Sequence, residues 1–196
     1  MTPAVFLDRD GTMIHDVGYL SRREDVTWYP WAIDAIRLLN RAGFLVIVVT
    51  NQGGIGLGFY TEDFVRALHT ELGAQVAAAG GRVDEWFYCP HHPLARVDAL
   101  RVDCDCRKPR PGMIRQAASA FDIDLPASYV IGDKASDLGL ARAVGAQGIL
   151  VRTGYGEAEA GRHAGTVADA VFVAHTMMDA TSWILEQRLR PAEVGG

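Results

Sequence analysis

Two carboxylates one residue apart, Asp8 and Asp10, stand where the apolar run Ala4-Val5-Phe6-Leu7 gives way to Gly11. The run reads as a central buried strand. Side chains alternate along an extended chain, so Asp8 and Asp10 share one side and Arg9 takes the other. Like charges held that close repel each other unless a cation or a shared proton intervenes. An acidic loop that merely caps a helix would explain an isolated pair of this kind. A magnesium site that separates a nucleophile from an acid/base would explain it too, and the residues downstream favour the second account.

After a second apolar run comes Thr50-Asn51-Gln52-Gly53-Gly54, a hydroxyl, amides and a glycine turn able to surround a phosphate with donors. Another strand-like run ends in Gly132-Asp133-Lys134, with Asp137 one helical turn beyond. Asp137 suits the dipole of a starting helix. Asp133 instead shares an edge with Asp8 and Asp10, and three carboxylates there call for a hard cation with oxygen ligands, as magnesium is. Lysine usage points to the same place. Against 17 arginines the chain has only two lysines, Lys108 in Arg107-Lys108-Pro109 and Lys134 beside Asp133. A compact ammonium differs from a planar guanidinium fork, so a site built around a point charge resists replacement. Finally, Cys89-Pro90-His91-His92 and Cys104-Asp105-Cys106 use every cysteine of the chain. Three thiolates and one imidazole, from His91 or His92, form a closed structural zinc set with no position left for a reacting water.

Asp8-Arg9-Asp10-Gly11-Thr12, Thr50-Asn51, Lys108 and Gly132-Asp133 resemble, in order, the four motifs of the haloacid dehalogenase superfamily of phosphotransferases. The Thr50-Asn51-Gln52 and Cys104-to-Pro109 segments narrow the resemblance to its heptose-bisphosphate and histidinol-phosphate phosphatase branch. It covers about residues 4 to 153, with Gly53 standing where a serine is common. The resemblance implies Asp8 as nucleophile and Asp10 as acid/base. It implies magnesium on Asp8, the Asp10 carbonyl and Asp133, and zinc on Cys89, His91, Cys104 and Cys106. Thr50, Asn51, Gln52, Gly53 and Lys108 would receive the phosphoryl group. Asp16, Gly18 and Tyr19 would approach the sugar, and Arg107 and Lys134 would serve a second phosphate. The implied substrate is a sugar bisphosphate. Histidinol phosphate is the nearest rival, and a non-catalytic zinc-stabilised interaction module is the rival of another class.

The elements that must position these groups alternate. Strand-like runs recur at Ala4–Leu7, Phe44–Val49, Val83–Tyr88, Tyr129–Ile131, Gly148–Val151 and Ala170–Val173. Helical spacing fills Trp31–Arg41, Thr61–Ala79, Pro111–Phe121, Ser136–Val144 and Thr176–Leu189, with Gly43, Gly80 and Gly145 as stops. This pattern predicts an α/β, Rossmann-like doubly wound, mainly parallel sheet with helices on both faces. About 37 residues between Thr12 and Thr50 leave no room for an inserted cap domain. We expect one domain over residues 1–190 with a zinc loop at 89–106, a mobile loop at Gly156–Val167, and a disordered tail at 191–196. A net charge of −5 argues against nucleic acid. No apolar run reaches membrane-span length, and no secretory signal is visible. The expectation is a cytoplasmic monomer.

Overall fold

The computed structural model describes residues 1–162 and 168–189. Six strands form one parallel sheet: β1 (Ala4–Leu7), β2 (Leu45–Asn51), β3 (Glu85–Cys89), β4 (Tyr129–Gly132), β5 (Gln147–Val151) and β6 (Phe172–Ala174), in the order β3-β2-β1-β4-β5-β6. The chain steps outward from β1 through β2 to β3, then returns to β4 on the other flank of β1. The crevice beyond the carboxyl ends of β1 and β4 is therefore the topological switch point, where ligands of such sheets bind.

Residues of β1 alternate between two cores because both faces of the sheet are covered. Val5 and Leu7 pack with Ile36 and Leu39 of α1 (Ala32–Arg41), Leu68 and Leu72 of α3 (Glu62–Ala78) and Ile184 of α7 (Met177–Leu189). Ala4 and Phe6 pack with Met113 and Ile114 of α4 (Gly112–Ala120) and Leu140 of α5 (Ala135–Val144). The central strands β1, β2, β4 and β5 are buried almost throughout and read as continuous apolar runs, whereas the edge strands β3 and β6 are only partly buried. Gly43, Gly80 and Gly145 follow helices at φ of +82°, +80° and +74°, as helix stops do.

Two helices depart from the expected pattern. The four-residue α2 (Gly54–Leu57) follows β2 directly. Part of the expected loop at Gly156–Val167 is instead α6 (Gly156–Arg162). Glu157 and Glu159 stand in its first turn, favourable to the helix dipole, and Glu157 also pairs with Arg152 at 2.9 Å. The rest of that expected loop, 163–167, and the tail at 191–196 lie outside the described residues. Among the described residues no helix is long and apolar enough to cross a membrane.

Candidate active site

Asp8 follows the last residue of β1, and its backbone N–H still donates to Ile131 of β4 at 2.9 Å. Asp133 follows β4, and Asp137 lies in the first turn of α5, where its Oδ2 accepts from the Lys134 N–H at 3.1 Å. Asp8, Asp133 and Asp137 each bring a carboxylate oxygen within 4.8 Å of the others, and all three are buried. This trio differs from the expected one. The Asp10 side chain turns away to a two-oxygen contact with Arg9, whose Nη2 lies 3.0 and 2.9 Å from Oδ1 and Oδ2. Arg9 leaves the strand on the opposite side, as alternation predicts, and is long enough to fold its fork back onto Asp10. Asp137 takes the vacated place in the carboxylate cluster.

Lys108 neutralises two of the three. Its Nζ lies 2.9 Å from Asp8 Oδ1 and 2.7 Å from Asp137 Oδ1, and donates to the Val49 carbonyl at 2.9 Å. The ammonium thus makes two ion pairs and one hydrogen bond. The Asn51 amide fixes this segment by pairing both ways with the Lys108 backbone, at 3.0 and 3.3 Å. Burial opposes ionisation of Asp8, yet Lys108 and Lys134 outweigh it and hold the carboxyl below its ordinary range. Burial likewise opposes charge on Lys108, and Asp137 with Asp8 raises it nonetheless.

Asp133 is the carboxylate left over. Its Oδ2 accepts from the Tyr155 N–H at 2.8 Å, while buried Oδ1 has no hydrogen bond and lies 3.6 Å from Lys134 Nζ. Burial first, then the charge of Asp8, pushes Asp133 up to about 7. Backbone closes around it: a Cβ on Gly11 or on Gly154 would stand 2.2 Å from Asp133 Oδ2, so both positions require glycine. An unpartnered buried oxygen, hard donors and a surplus negative charge together fit a divalent cation.

A cleft of about 80 Å³ opens above this cluster, lined by Asp8, Asp10, Asp16, Gly18, Thr50, Asn51, Lys108 and Lys134, all expected, and by Ser136, which was not. Asp16 ties two parts of the rim: one oxygen accepts from Gly18 N–H at 2.7 Å and the other from Lys134 Nζ at 3.1 Å. Four expected phosphate or sugar residues lie off the cleft. The Gln52 side chain is buried and faces Asp10, Thr50, Arg9 and Tyr60. Tyr19 is exposed and packs at a tilt against Phe59, the ring centroids 4.4 Å apart. Arg107 donates to the His91 carbonyl at 3.0 Å and lines a neighbouring cavity of about 470 Å³, which Lys108 also lines. Gly53 lies beside both, where a Cβ would come within 3.1 Å of Arg107 Nη1 and 3.0 Å of His92 Cδ2; the glycine makes room for that arginine. Asp137, Arg9, Tyr60 and His69 are the residues that sequence reasoning undervalued. Only Asp137 carried a signal, its position four residues after Asp133.

Beside the cleft, Cys89 at the end of β3 gathers Cys106 and Cys104 at Sγ–Sγ distances of 3.1 and 3.6 Å. His91 Nδ1 lies 3.2 Å from Cys106 Sγ and 3.7 Å from Cys89 Sγ. His92 is occupied elsewhere, its Nδ1 accepting from Leu94 N–H at 3.0 Å. Contact with Cys89 brings the Cys106 thiol down to about 5. Three sulfurs and one nitrogen in this cluster suit a tetrahedral soft-metal site, zinc above all.

A family model described as haloacid dehalogenase-like hydrolase matches residues 14–142, and one described as HAD-hydrolase-like matches residues 105–180. D-glycero-beta-D-manno-heptose-1,7-bisphosphate 7-phosphatase of Rhodopseudomonas palustris is 45% identical over 146 residues, covering 74% of this chain and 81% of its own. The protein of that name from Escherichia coli K12 is 44% identical over 154 residues, covering 78% and 80%. Among solved structures, D,D-heptose 1,7-bisphosphate phosphatase from B. bronchiseptica, complexed with magnesium and phosphate, superposes with a TM-score of 0.84 at 30% identity, covering 94% of this chain and 99% of that one.

Proposed function

The chain belongs to the haloacid dehalogenase-like hydrolase family, and on that premise we propose that it is a phosphoric monoester hydrolase of D-glycero-D-manno-heptose 1,7-bisphosphate. It removes the 7-phosphate and acts on the β anomer for which its relatives are named. The observation that carries this reading is Asp8: a buried carboxylate kept ionised by Lys108 at 2.9 Å, at the floor of a cleft with room for a phosphoryl group.

Asp8 attacks phosphorus and forms an aspartyl phosphate as the bond to the sugar oxygen breaks. Asp10 gives that oxygen its proton, then takes one from the water that hydrolyses the intermediate. Phosphoryl transfer asks chiefly for positioning and for charge on the equatorial oxygens to be met. Thr50 and Asn51 supply donors, and Lys108 and Lys134 supply charge. Asp8, Asp133 and the Asp10 carbonyl would hold magnesium, which supplies further neutralisation of the transferring group. Cys89, His91, Cys104 and Cys106 would hold zinc, whose part is structural. The second phosphate rests towards Lys134 and Arg107, which line two different cavities that share Lys108 in their walls. Such an enzyme furnishes precursors of the heptosylated core of lipopolysaccharide or of another glycan, and works in the cytoplasm.

The test is phosphate release with magnesium across both anomers of the bisphosphate, the 7-monophosphate, the 1-monophosphate and histidinol phosphate. The β-bisphosphate should give the highest kcat/KM, and Asp8→Asn should abolish turnover on every ester. A higher kcat/KM for histidinol phosphate would transfer the assignment to that substrate, and no release from any ester would leave a non-catalytic module.

A further inference from the structure

We propose that Arg9 sets the direction of the buried hydrogen bonds running through Gln52 to Asp10 and Thr50, and thereby holds the acid/base carboxylate and a cleft-facing hydroxyl in working orientation. This rests on the phosphatase reading above and adds Arg9, Gln52 and Tyr60 to it as positioning residues.

Arg9 is 1% exposed, so its guanidinium must find all its partners inside the protein. It can only donate. Nη2 donates to Gln52 Oε1 at 3.0 Å, which settles which end of that amide faces it. Tyr60 O–H donates to the same Oε1 at 2.9 Å, completing the oxygen's two lone pairs. The amide nitrogen of Gln52 must then point the other way. It donates to Asp10 Oδ2 at 2.9 Å and to Thr50 Oγ1 at 2.8 Å, using both its protons. Thr50 accepts there, which leaves its own hydroxyl proton free to donate to a ligand in the cleft it lines. Asp10 accepts from Gln52 and from the Arg9 fork together, and these contacts restrict its χ rotation from two sides. Nη1 of Arg9 reaches His69 Nε2 at 3.1 Å, and that nitrogen must accept. Burial, reinforced by Arg9, lowers His69 to about 3, so the imidazole stays neutral and fills that role across the physiological range. A donor-only cation at one end thus dictates the polarity of every bond up to the two groups that meet the substrate.

The test separates orientation from mere structure through leaving-group dependence. Single-turnover transfer to Asp8 is measured with two esters: the heptose bisphosphate, whose departing alkoxide needs a proton, and p-nitrophenyl phosphate, whose departing nitrophenolate does not. Arg9→Lys keeps the charge and loses the fork. It should slow transfer from the sugar ester by about 10- to 100-fold, part of what a general acid contributes, and the nitrophenolate burst by less than about threefold. Tyr60→Phe should show the same bias at smaller size, and it carries the test where Arg9→Lys fails to reach wild-type circular dichroism. Gln52→Glu, nearly isosteric, turns the donor facing Thr50 into an acceptor and should weaken inhibition by inorganic phosphate about tenfold. Equal losses on both esters, or no loss in the folded variants, would overturn the inference. Failure of the wild-type protein to release phosphate from either ester would instead remove the phosphatase reading itself.

Discussion

Lys108 shows why a lysine stands where this sequence otherwise chooses arginine. Its three N–H groups meet two carboxylates and a carbonyl within 2.9 Å, a convergence that a planar fork does not match. Lysine scarcity, together with the places of the two lysines beside Asp133 and in Arg107-Lys108-Pro109, made both legible in the sequence. The contacts of Arg9, and the part Asp137 plays beyond capping its helix, were not legible for a physical reason. Alternation tells where a side chain leaves the backbone and says nothing of where a long one ends, and an acidic residue at a helix start satisfies the dipole whether or not it also meets an ammonium. His69 left no trace in the sequence either, and it yields a pH prediction. Its folded value, about 3, lies below the ordinary imidazole value of 6.5. Between those limits the unfolded chain binds a proton that the folded protein refuses. Stability from this group is thus complete above pH 6.5 and declines as pH falls towards 3, by at most about 1.4 kcal/mol per pH unit. His69→Gln keeps an acceptor for Arg9 and does not titrate, so its urea stability should fall less than that of the wild type between pH 7 and pH 5. Parallel declines would show that His69 is not the buried neutral base described.

At the scale of elements, the central strands were read well because burial on both faces leaves a continuous apolar run, and the helices ended by Gly43, Gly80 and Gly145 because a glycine stop marks them. The short α2 is too glycine-rich to show helical spacing, and α6 has the small polar composition of a loop. The segment from Cys89 to Lys108 is the element whose behaviour most needs measurement. It leaves β3, contains only one short 3-10 turn, Asp98–Leu100, and delivers Arg107 and Lys108 to the site. With so little regular structure, its course depends on what ties Cys89 to Cys104 and Cys106. Removing zinc from the metal-loaded protein, with magnesium still saturating, should slow turnover and lower Tm. A loss of about 3 kcal/mol corresponds to roughly 6–12 °C for a chain of this size. Metal analysis confirming zinc removal, together with unchanged melting and activity, would refute the role given to the cluster.

For the whole molecule, the sheet order explains the site more than any single residue does. Asp8 and Asp133 end adjacent strands at the place where the chain reverses its direction of growth, so a pair 125 positions apart in sequence meets without a long loop. Among the described residues no inserted domain closes over the cleft. Oligomeric state was never legible, because the apolar stripes of the helices are spent on the two cores. We predict a monomer in solution, with a radius of gyration of about 16 Å for 196 residues. Small-angle scattering checks this directly, and a mass twice that of the chain would contradict it.

The unequal depth of the two lysines has a practical consequence. Lys108 is 4% exposed and its ammonium is fully engaged, whereas about a third of the Lys134 side chain reaches solvent at the mouth of the cleft. Apart from the amino terminus, an amine-selective acylating reagent therefore has a single side chain to modify, and it stands at the substrate's doorway. Despite partial burial, the neighbouring carboxylates hold the Lys134 ammonium protonated, so labelling calls for alkaline pH. Mass spectrometry of the labelled peptide would then double as an occupancy gauge, since whatever fills the cleft shields the one accessible lysine.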